Sequence, residues 1–288
     1  MDKKYIASPL NYIGGKYKLL PQILPLFPRE INTFVDLFCG GCNVGINVSA
    51  NRIIFNDKNN FLIDLYKAFK ETPTEKILSH IKNRIQEFNL SMINKEGYLE
   101  LRKLYNTKRN TLDLFVLIAY SFNHQLRFNS SGEFNIAFGK ERSCFNPRME
   151  KNLLSFLHEI KTKNVEFYSK DFDTFNLSNL EDSDFVYADP PYLITTATYN
   201  EGKRGFIGWN EDMEKKLLKI LDILSQRGIK FALSNVIEHK GKSNDILKSW
   251  IKQNNYNVYF LKSDYSNCFY NTLCKTKNSS IEVLVTNF

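Results

Sequence analysis

Apolar and polar positions along this chain follow two rhythms, and the rhythm changes twice. Between residues 33 and 70, Thr33-Phe-Val-Asp-Leu-Phe38 reads as a strand, a glycine-rich loop follows, and Asn51-Arg-Ile-Ile-Phe-Asn-Asp57 reads as a second strand. Phe61 to Lys70 then shows the spacing of a helix with one apolar face. From about 72 to 163 the pattern is mostly helical: Thr72-Pro73-Thr74-Glu75 has the form of a capping box with proline at the first helical position, opening a helix to about Phe88. Leu112, Phe115, Val116 and Ala119 lie on one face of another. After Asn164 the alternation returns, with strands expected near 165–168, 184–188, 229–234, 256–262 and 281–286 and helices near 210–227 and 243–253.

This is the pattern of an α/β sheet interrupted after its second strand by a helical insertion. Residues 1–70 and 164–288 are expected to form one domain and 71–163 an inserted subdomain, the kind of segment that carries recognition. At 288 residues the chain is long enough to bury a substantial core. Charge adds a partner class: 39 Lys and Arg against 31 Asp and Glu give a formal +8 and a pI near 9.0, which favours a polyanion. Neither an apolar run of about 18 residues nor a charged-then-apolar leader is present, so the expectation is a cytoplasmic protein with no membrane partner. Five cysteines at irregular spacing argue against a disulfide framework. Cys39 and Cys42 form a C-x-x-C without a second ligand pair, so no metal is expected, and both are assigned to small-residue positions in a tight loop.

The stretch with the most chemistry is Asp184-Phe-Val-Tyr-Ala-Asp-Pro-Pro-Tyr192. Its apolar centre reads as a buried strand, and Pro190 and Pro191 cannot continue a ladder. Asp189 is therefore held at a strand's carboxyl end, where open α/β sheets bind ligands, and Tyr192 offers a flat face for an unstacked base. A nucleobase amino group is a poor nucleophile because its lone pair is delocalised. Asp189 and the Pro190 carbonyl can accept its two hydrogens and localise that pair toward an electrophilic methyl. The competing reading is a strand-ending Asp-Pro-Pro turn with no chemistry.

Two further segments favour the chemical reading. Asp36 to Gly45, DLFCGGCNVG, follows a strand and is expected to open a helix whose N-terminal amides receive an anion such as a carboxylate. Asp57 ends the next strand 17 residues after Gly40, the place of an acid that binds ribose hydroxyls; capping the helix that follows is its other reading. Residues 122–140, FNHQLRFNSSGEFNIAFGK, combine Arg127, Lys140, amide side chains and four phenylalanines. They read either as a hairpin turning at Asn129-Ser130-Ser131-Gly132 with phenylalanines packed inward, or as an element that reads base edges, since Arg, Asn and Gln pair bidentately with them.

With these pieces in place the chain resembles the Dam family of adenine-specific DNA methyltransferases over nearly its whole length. Tyr12-Ile-Gly-Gly-Lys16, Phe38-Cys-Gly40-Gly-Cys42, Asn56-Asp57 and Asp189-Pro-Pro-Tyr192 resemble the family's four separated motifs in its α-group order, and FNHQLRFN with GEFN-x-x-FGK resembles its base-reading hairpin. The resemblance implies a Rossmann-like, S-adenosylmethionine-dependent methyltransferase sheet with an inserted DNA-recognition subdomain. It implies Tyr12, Lys16, Asp36, Phe38, Gly40, Asp57 and Asp189 at the cofactor, Asp189, Pro190 and Tyr192 as catalytic, and Arg127, Asn129, Asn135 and Lys140 at DNA. The implied activity is methyl transfer to N6 of an adenine flipped out of double-stranded DNA, by a monomer, in restriction-modification or phage and host DNA protection, with a cognate restriction endonuclease as a separate partner. A cytosine-N4 methyltransferase and an inactive DNA-binding regulator are the alternatives. Cys42 departs from the family, which has glycine there, and His124 and Gln125 depart from its hairpin, so the target site stays open.

Overall fold

The computed structural model describes residues 5–195, 208–262 and 280–288, and the chain divides into two compact units. One comprises Met1–Tyr17, Cys39–Asn47 and Phe55–Ser169; the other comprises Lys18–Phe38, Val48–Ile54 and Lys170–Phe288. The helical segment 71–163 thus groups with the N-terminal residues and the glycine-rich loop.

The strands are β1 (Thr33–Asp36), β2 (Arg52–Asn56), β3 (Val165–Tyr168), β4 (Phe185–Ala188), β5 (Lys230–His239), β6 (Lys242–Ser243), β7 (Asn257–Leu261) and β8 (Ile281–Thr286). Their order is β3-β2-β1-β4-β5-β8-β7, with β6 paired to β5. β1, β4 and β5 run parallel, while β8 joins β5 and β7 antiparallel. Every residue of β1 and β4 is buried, as expected of central parallel strands, whose two faces are both covered. The order reverses between β1 and β4, which places a ligand crevice beyond the carboxyl ends of those two strands. In the same unit α1 (Leu20–Ile23), α7 (Glu211–Gln226) and α8 (Asp245–Asn254) accompany the sheet. Leu217, Leu221 and Leu224 of α7 and Leu247 and Trp250 of α8 pack with Val186, Phe231 and Val285 in one core.

The other unit holds α2 (Asn60–Glu71), α3 (Thr74–Glu87), α4 (Lys95–Lys108), α5 (Thr111–Tyr120) and α6 (Pro147–Thr162). α5 is its centre: all residues from Asp113 to Tyr120 are buried, with Phe115 meeting Phe69 of α2 edge-on at 5.4 Å. Asparagine caps α2, α4, α5, α6, α7 and α8, each side chain accepting a hydrogen bond from a first-turn amide, which stabilises a helix by about 1 kcal/mol. No helix among the described residues is long and apolar enough to cross a membrane.

Two local expectations need correction. No capping box opens α3: Thr72 is the extended C-cap of α2, and Pro73, which carries no side-chain donor or acceptor, stands at the N-cap of α3. The glycine-rich loop leads only into a single 3-10 turn, Gly45–Asn47, rather than an α-helix. Asn43 and Asn47 are instead engaged with residues 6–8: Asn47 exchanges two hydrogen bonds with the Ile6 backbone, and Asn43 Oδ1 accepts from Ser8 N at 3.0 Å. One turn offers too few aligned amides for the anion site expected at this loop.

Candidate active site

The unit that carries β1, β4, β5 and β8 has a group of bonded polar side chains on and just beyond those strands. The β1–β4 register sets Asp36 opposite Tyr187, and Leu37 N continues the pairing to Tyr187 O at 2.9 Å. One residue beyond β4 stands Asp189, half-buried, followed by buried Pro190 and the half-buried Tyr192. Tyr192 Oη lies 3.0 Å from Asp189 Oδ1 and 2.9 Å from Oε1 of Glu282, which is fully buried on β8. β8 reaches this place beside a register shift between Val236 and Glu238 of β5, the kind of bulge that re-aims a side chain. Tyr187, wholly buried, bonds Ser234 of β5 at 2.7 Å. Burial raises the Tyr187 hydroxyl well above the ordinary tyrosine value; the carboxylates of Asp189, Asp36 and Glu282 push the same way, and the Ser234 bond opposes them. The phenol therefore stays protonated among three acids.

Phe38, just past β1, packs at 5.4 Å on Phe172 and edge-on at 5.7 Å against Trp209. Trp209 is itself fixed: its indole N–H donates to Glu214 Oε2 at 2.7 Å, while Oε1 of that carboxylate accepts from Asn235 and Asn244. Burial raises the Glu214 carboxyl above the ordinary glutamate value, against these three bonds. Glu214, Trp209 and Glu282 escaped the sequence reading because Glu214 and Trp209 lie in a polar run that reads as a solvated helix start and Glu282 in an apolar strand, and only the tertiary structure brings them to the motif.

The other unit holds the second motif group. Gly40, at φ +44°, is the point of closest approach to Tyr12: a Cβ there would stand 2.8 Å from the Tyr12 ring, so the motif aromatic lies on the glycine loop. Tyr66 of α2 closes the other side, donating to Gly40 O at 2.8 Å. Asp57 is bound by two amides, Gly40 N at 3.0 Å and Asn59 N at 2.9 Å; the helix cap itself is Asn59. Partial withdrawal from water raises the Asp57 carboxyl above the ordinary aspartate value, while the two amide bonds lower it. Lys16 is not a solvated lysine: it is 3 % exposed and its ammonium donates to Gly14 O at 2.8 Å. Cys42 is buried at φ +58°, a backbone region that suits the family's glycine, and its N–H bonds Cys39 O in the tight loop expected for both cysteines. Among the described residues no group of three or more His, Cys, Asp or Glu could hold a metal ion. The donor set of this unit is of the kind S-adenosylmethionine would take: a carboxylate suited to ribose hydroxyls (Asp57), a lysine suited to a carboxylate (Lys16) and an aromatic suited to an adenine ring (Tyr12).

Residues 121–139 do form a hairpin, by isolated bridges Ser121–Phe138 and Phe128–Phe134 rather than a continuous ladder. The turn closes with Gly132 N on Asn129 O at 2.9 Å. Asn129 is committed to it: Oδ1 accepts from Ser131 N and Glu133 N, and Nδ2 donates to Glu133 Oε2. Phe134 is buried and Phe128 stacks on Phe61 at 3.9 Å, whereas Phe122 stays exposed. Arg127, exposed, donates through Nε to Asn135 Oδ1 at 3.1 Å; exposed Lys140 lies 3.5 Å from Glu141. α4 braces the strands from behind, with Tyr98 Oη and Arg102 on Ile136 O and Asn106 bonding both backbone groups of Phe134.

The chain is similar to several named methylases. The chain is 53 % identical over 286 residues to the modification methylase StsI of Streptococcus sanguinis, covering 99 % of the chain and 43 % of that protein. It is 51 % identical over 284 residues to the type II methyltransferase M.FokI of Planomicrobium okeanokoites, again 99 % of the chain and 43 % of the relative. With the DNA adenine methylase of Escherichia coli K12 it shares 29 % identity over 226 residues, 78 % of the chain and 79 % of that enzyme. The chain thus spans less than half the length of the two modification methylases. The sequence model of one family matches residues 12–267, a span from the Tyr12 motif through the hairpin to beyond Asp189-Pro-Pro-Tyr192, and the chain belongs to that family, the D12 class N6 adenine-specific DNA methyltransferases.

Proposed function

We propose that this protein transfers a methyl group from S-adenosylmethionine to N6 of an adenine flipped out of double-stranded DNA, as a modification enzyme acting in the cytoplasm beside a separate cognate endonuclease. The observation that carries the reading is Asp189 at the end of β4, next to the β1–β4 reversal, with the Pro190 carbonyl following it. Bound cofactor supplies an electrophilic methyl on a sulfonium. The chain supplies orientation and charge: Asp189 and Pro190 O accept the two amine hydrogens, which localises the nitrogen lone pair, and the Tyr192 ring offers a face for the flipped base. Transfer would form one N–C bond as the sulfonium S–C bond breaks, with no covalent enzyme intermediate, and the proton shed by the methylated nitrogen would leave along its hydrogen bond to the Asp189 carboxylate.

Cofactor binding is assigned to Tyr12, Lys16, Gly40 and Asp57 together with Asp36, Phe38 and Asp189. Target recognition is assigned to the segment 71–163. In its hairpin Arg127 and Asn135 present a bonded guanidinium and amide suited to a base edge, Lys140 suits a phosphate, and Asn129 keeps the turn that displays them. The test is radiolabelled methyl transfer to plasmid DNA followed by nucleoside analysis. N6-methyladenine is expected; label in N4-methylcytosine, or no label while DNA is still bound, would overturn the assignment.

A further inference from the structure

The Tyr192 hydroxyl stands between two carboxylates with one proton to give. Asp189 Oδ1 at 3.0 Å and Glu282 Oε1 at 2.9 Å are equally within hydrogen-bond reach, and a phenol has a single O–H donor. If that proton rests on Asp189, it withdraws electron density from the carboxylate and makes it a weaker acceptor for the incoming amine. Turned toward Glu282, it leaves the Asp189 oxygen to the amine and at the same time solvates a carboxyl that the fold buries completely.

Resting on the assignment of Asp189 to the target amine made above, we infer that Glu282 is a positioning residue that takes the Tyr192 hydrogen bond away from Asp189 when the adenine amine arrives. It touches no substrate and acts through Tyr192. The two-way geometry is built in by rigid parts: β4 delivers Asp189, the two prolines fix the bend to Tyr192, and the β5–β8 register with its bulge sets Glu282. No bond is made or broken; one hydrogen bond changes acceptor.

The test is steady-state kinetics of the full chain on plasmid DNA, with thermal unfolding of every variant. Glu282→Ala is expected to lower kcat roughly tenfold, with KM for DNA and for cofactor within about twofold of wild type. Glu282→Gln keeps an acceptor oxygen and should retain kcat within about threefold. In a Tyr192→Phe background, where there is no proton to share, Glu282→Ala should cost less than about twofold more. Glu282→Leu repeats the measurement with the buried volume filled, should alanine impair folding. Unchanged kcat in folded Glu282→Ala or Glu282→Leu, or the same loss with Tyr192→Phe as without it, overturns the inference. Asp189→Ala separates this from the reading it rests on: an active Asp189→Ala enzyme defeats the amine assignment itself, whereas an inactive one beside an indifferent Glu282 defeats only the role of Glu282.

Discussion

The strand-end site and the hairpin of residues 121–139 are held in opposite ways, as suits the different tasks proposed for them. Asp189, Tyr192, Tyr187, Ser234 and Glu282 are fixed by the ladder of β4, β5 and β8, buried or half-buried, and bonded side chain to side chain. The hairpin has two isolated bridges, and its backbone is held by side chains reaching from α4. A reacting amine gains from groups whose backbone needs no rearrangement at the moment of reaction, so its site belongs on a sheet. Base edges vary with the target, and a surface that reads them gains from being exchangeable without touching the core. Residues Asn123 and His124, which open the hairpin, both take positive φ (54° and 53°), a strain more often kept at functional positions than at random.

If this contrast is right, substitutions in the two regions separate cleanly in kinetics. The largest effect is expected for Asp189→Ala, a fall in kcat of about three orders of magnitude or more at saturating DNA and cofactor, with thermal unfolding little changed. Turnover within a few-fold of wild type would erase the distinction. Next comes Asp57→Ala, which removes a carboxylate contact made equally before and during reaction. Calorimetry on the DNA-free protein should show S-adenosylmethionine binding weaker by about tenfold or more, and kcat at saturation should change far less. An unchanged dissociation constant would leave Asp57 as an anchor for Gly40 N and Asn59 N alone.

Arg127→Ala tests the hairpin directly. Losing a bidentate guanine contact costs about 1 to 3 kcal/mol against that base and should relax methylation at one position of the mapped site. Weakening at all sequences alike, with the salt slope reduced by about one, would make Arg127 a phosphate clamp instead. Asn106→Ala, which strips both bonds from the Phe134 backbone, should raise KM for DNA while leaving cofactor affinity unchanged, at about 1 to 2 kcal/mol of stability. The smallest effect is expected from Cys42→Gly: relief of the positive φ and the loss of a buried side chain offset, so the unfolding midpoint in denaturant should shift stability by less than about 1 kcal/mol.

Much of this arrangement is legible in the sequence because it depends on local order. The runs at 33–36, 52–56, 185–188 and 281–286 became strands because their apolar residues leave only a buried extended path, 165–168 because buried Val165 and Phe167 alternate with less buried Glu166 and Tyr168, and Gly40 had to be glycine where Tyr12 and the backbone meet. The motif Asp189-Pro-Pro-Tyr192 announces its own geometry, since two prolines end a ladder wherever they stand. Misreadings arose where a local pattern competed with distant partners. Thr72 looked like a cap, yet it closes the preceding helix; the glycine loop looked like the start of a helix, yet Asn43 and Asn47 bind the backbone of residues 6–8.

The sequence alone determined the alternation of strand and helix, the run of helices between β2 and β3 and the acids at the ends of β1, β2 and β4, because these follow from residue period and from backbone limits of proline and glycine. Only the tertiary structure decided that Glu282 lies on the Tyr192 hydroxyl, that Glu214 fixes Trp209 against Phe38, and that Asn106 holds the hairpin. Each of these joins residues far apart in sequence through strand order or helix packing. A one-dimensional pattern records which residues are apolar and how often, but not which distant polar pair the closed core will leave within 3 Å.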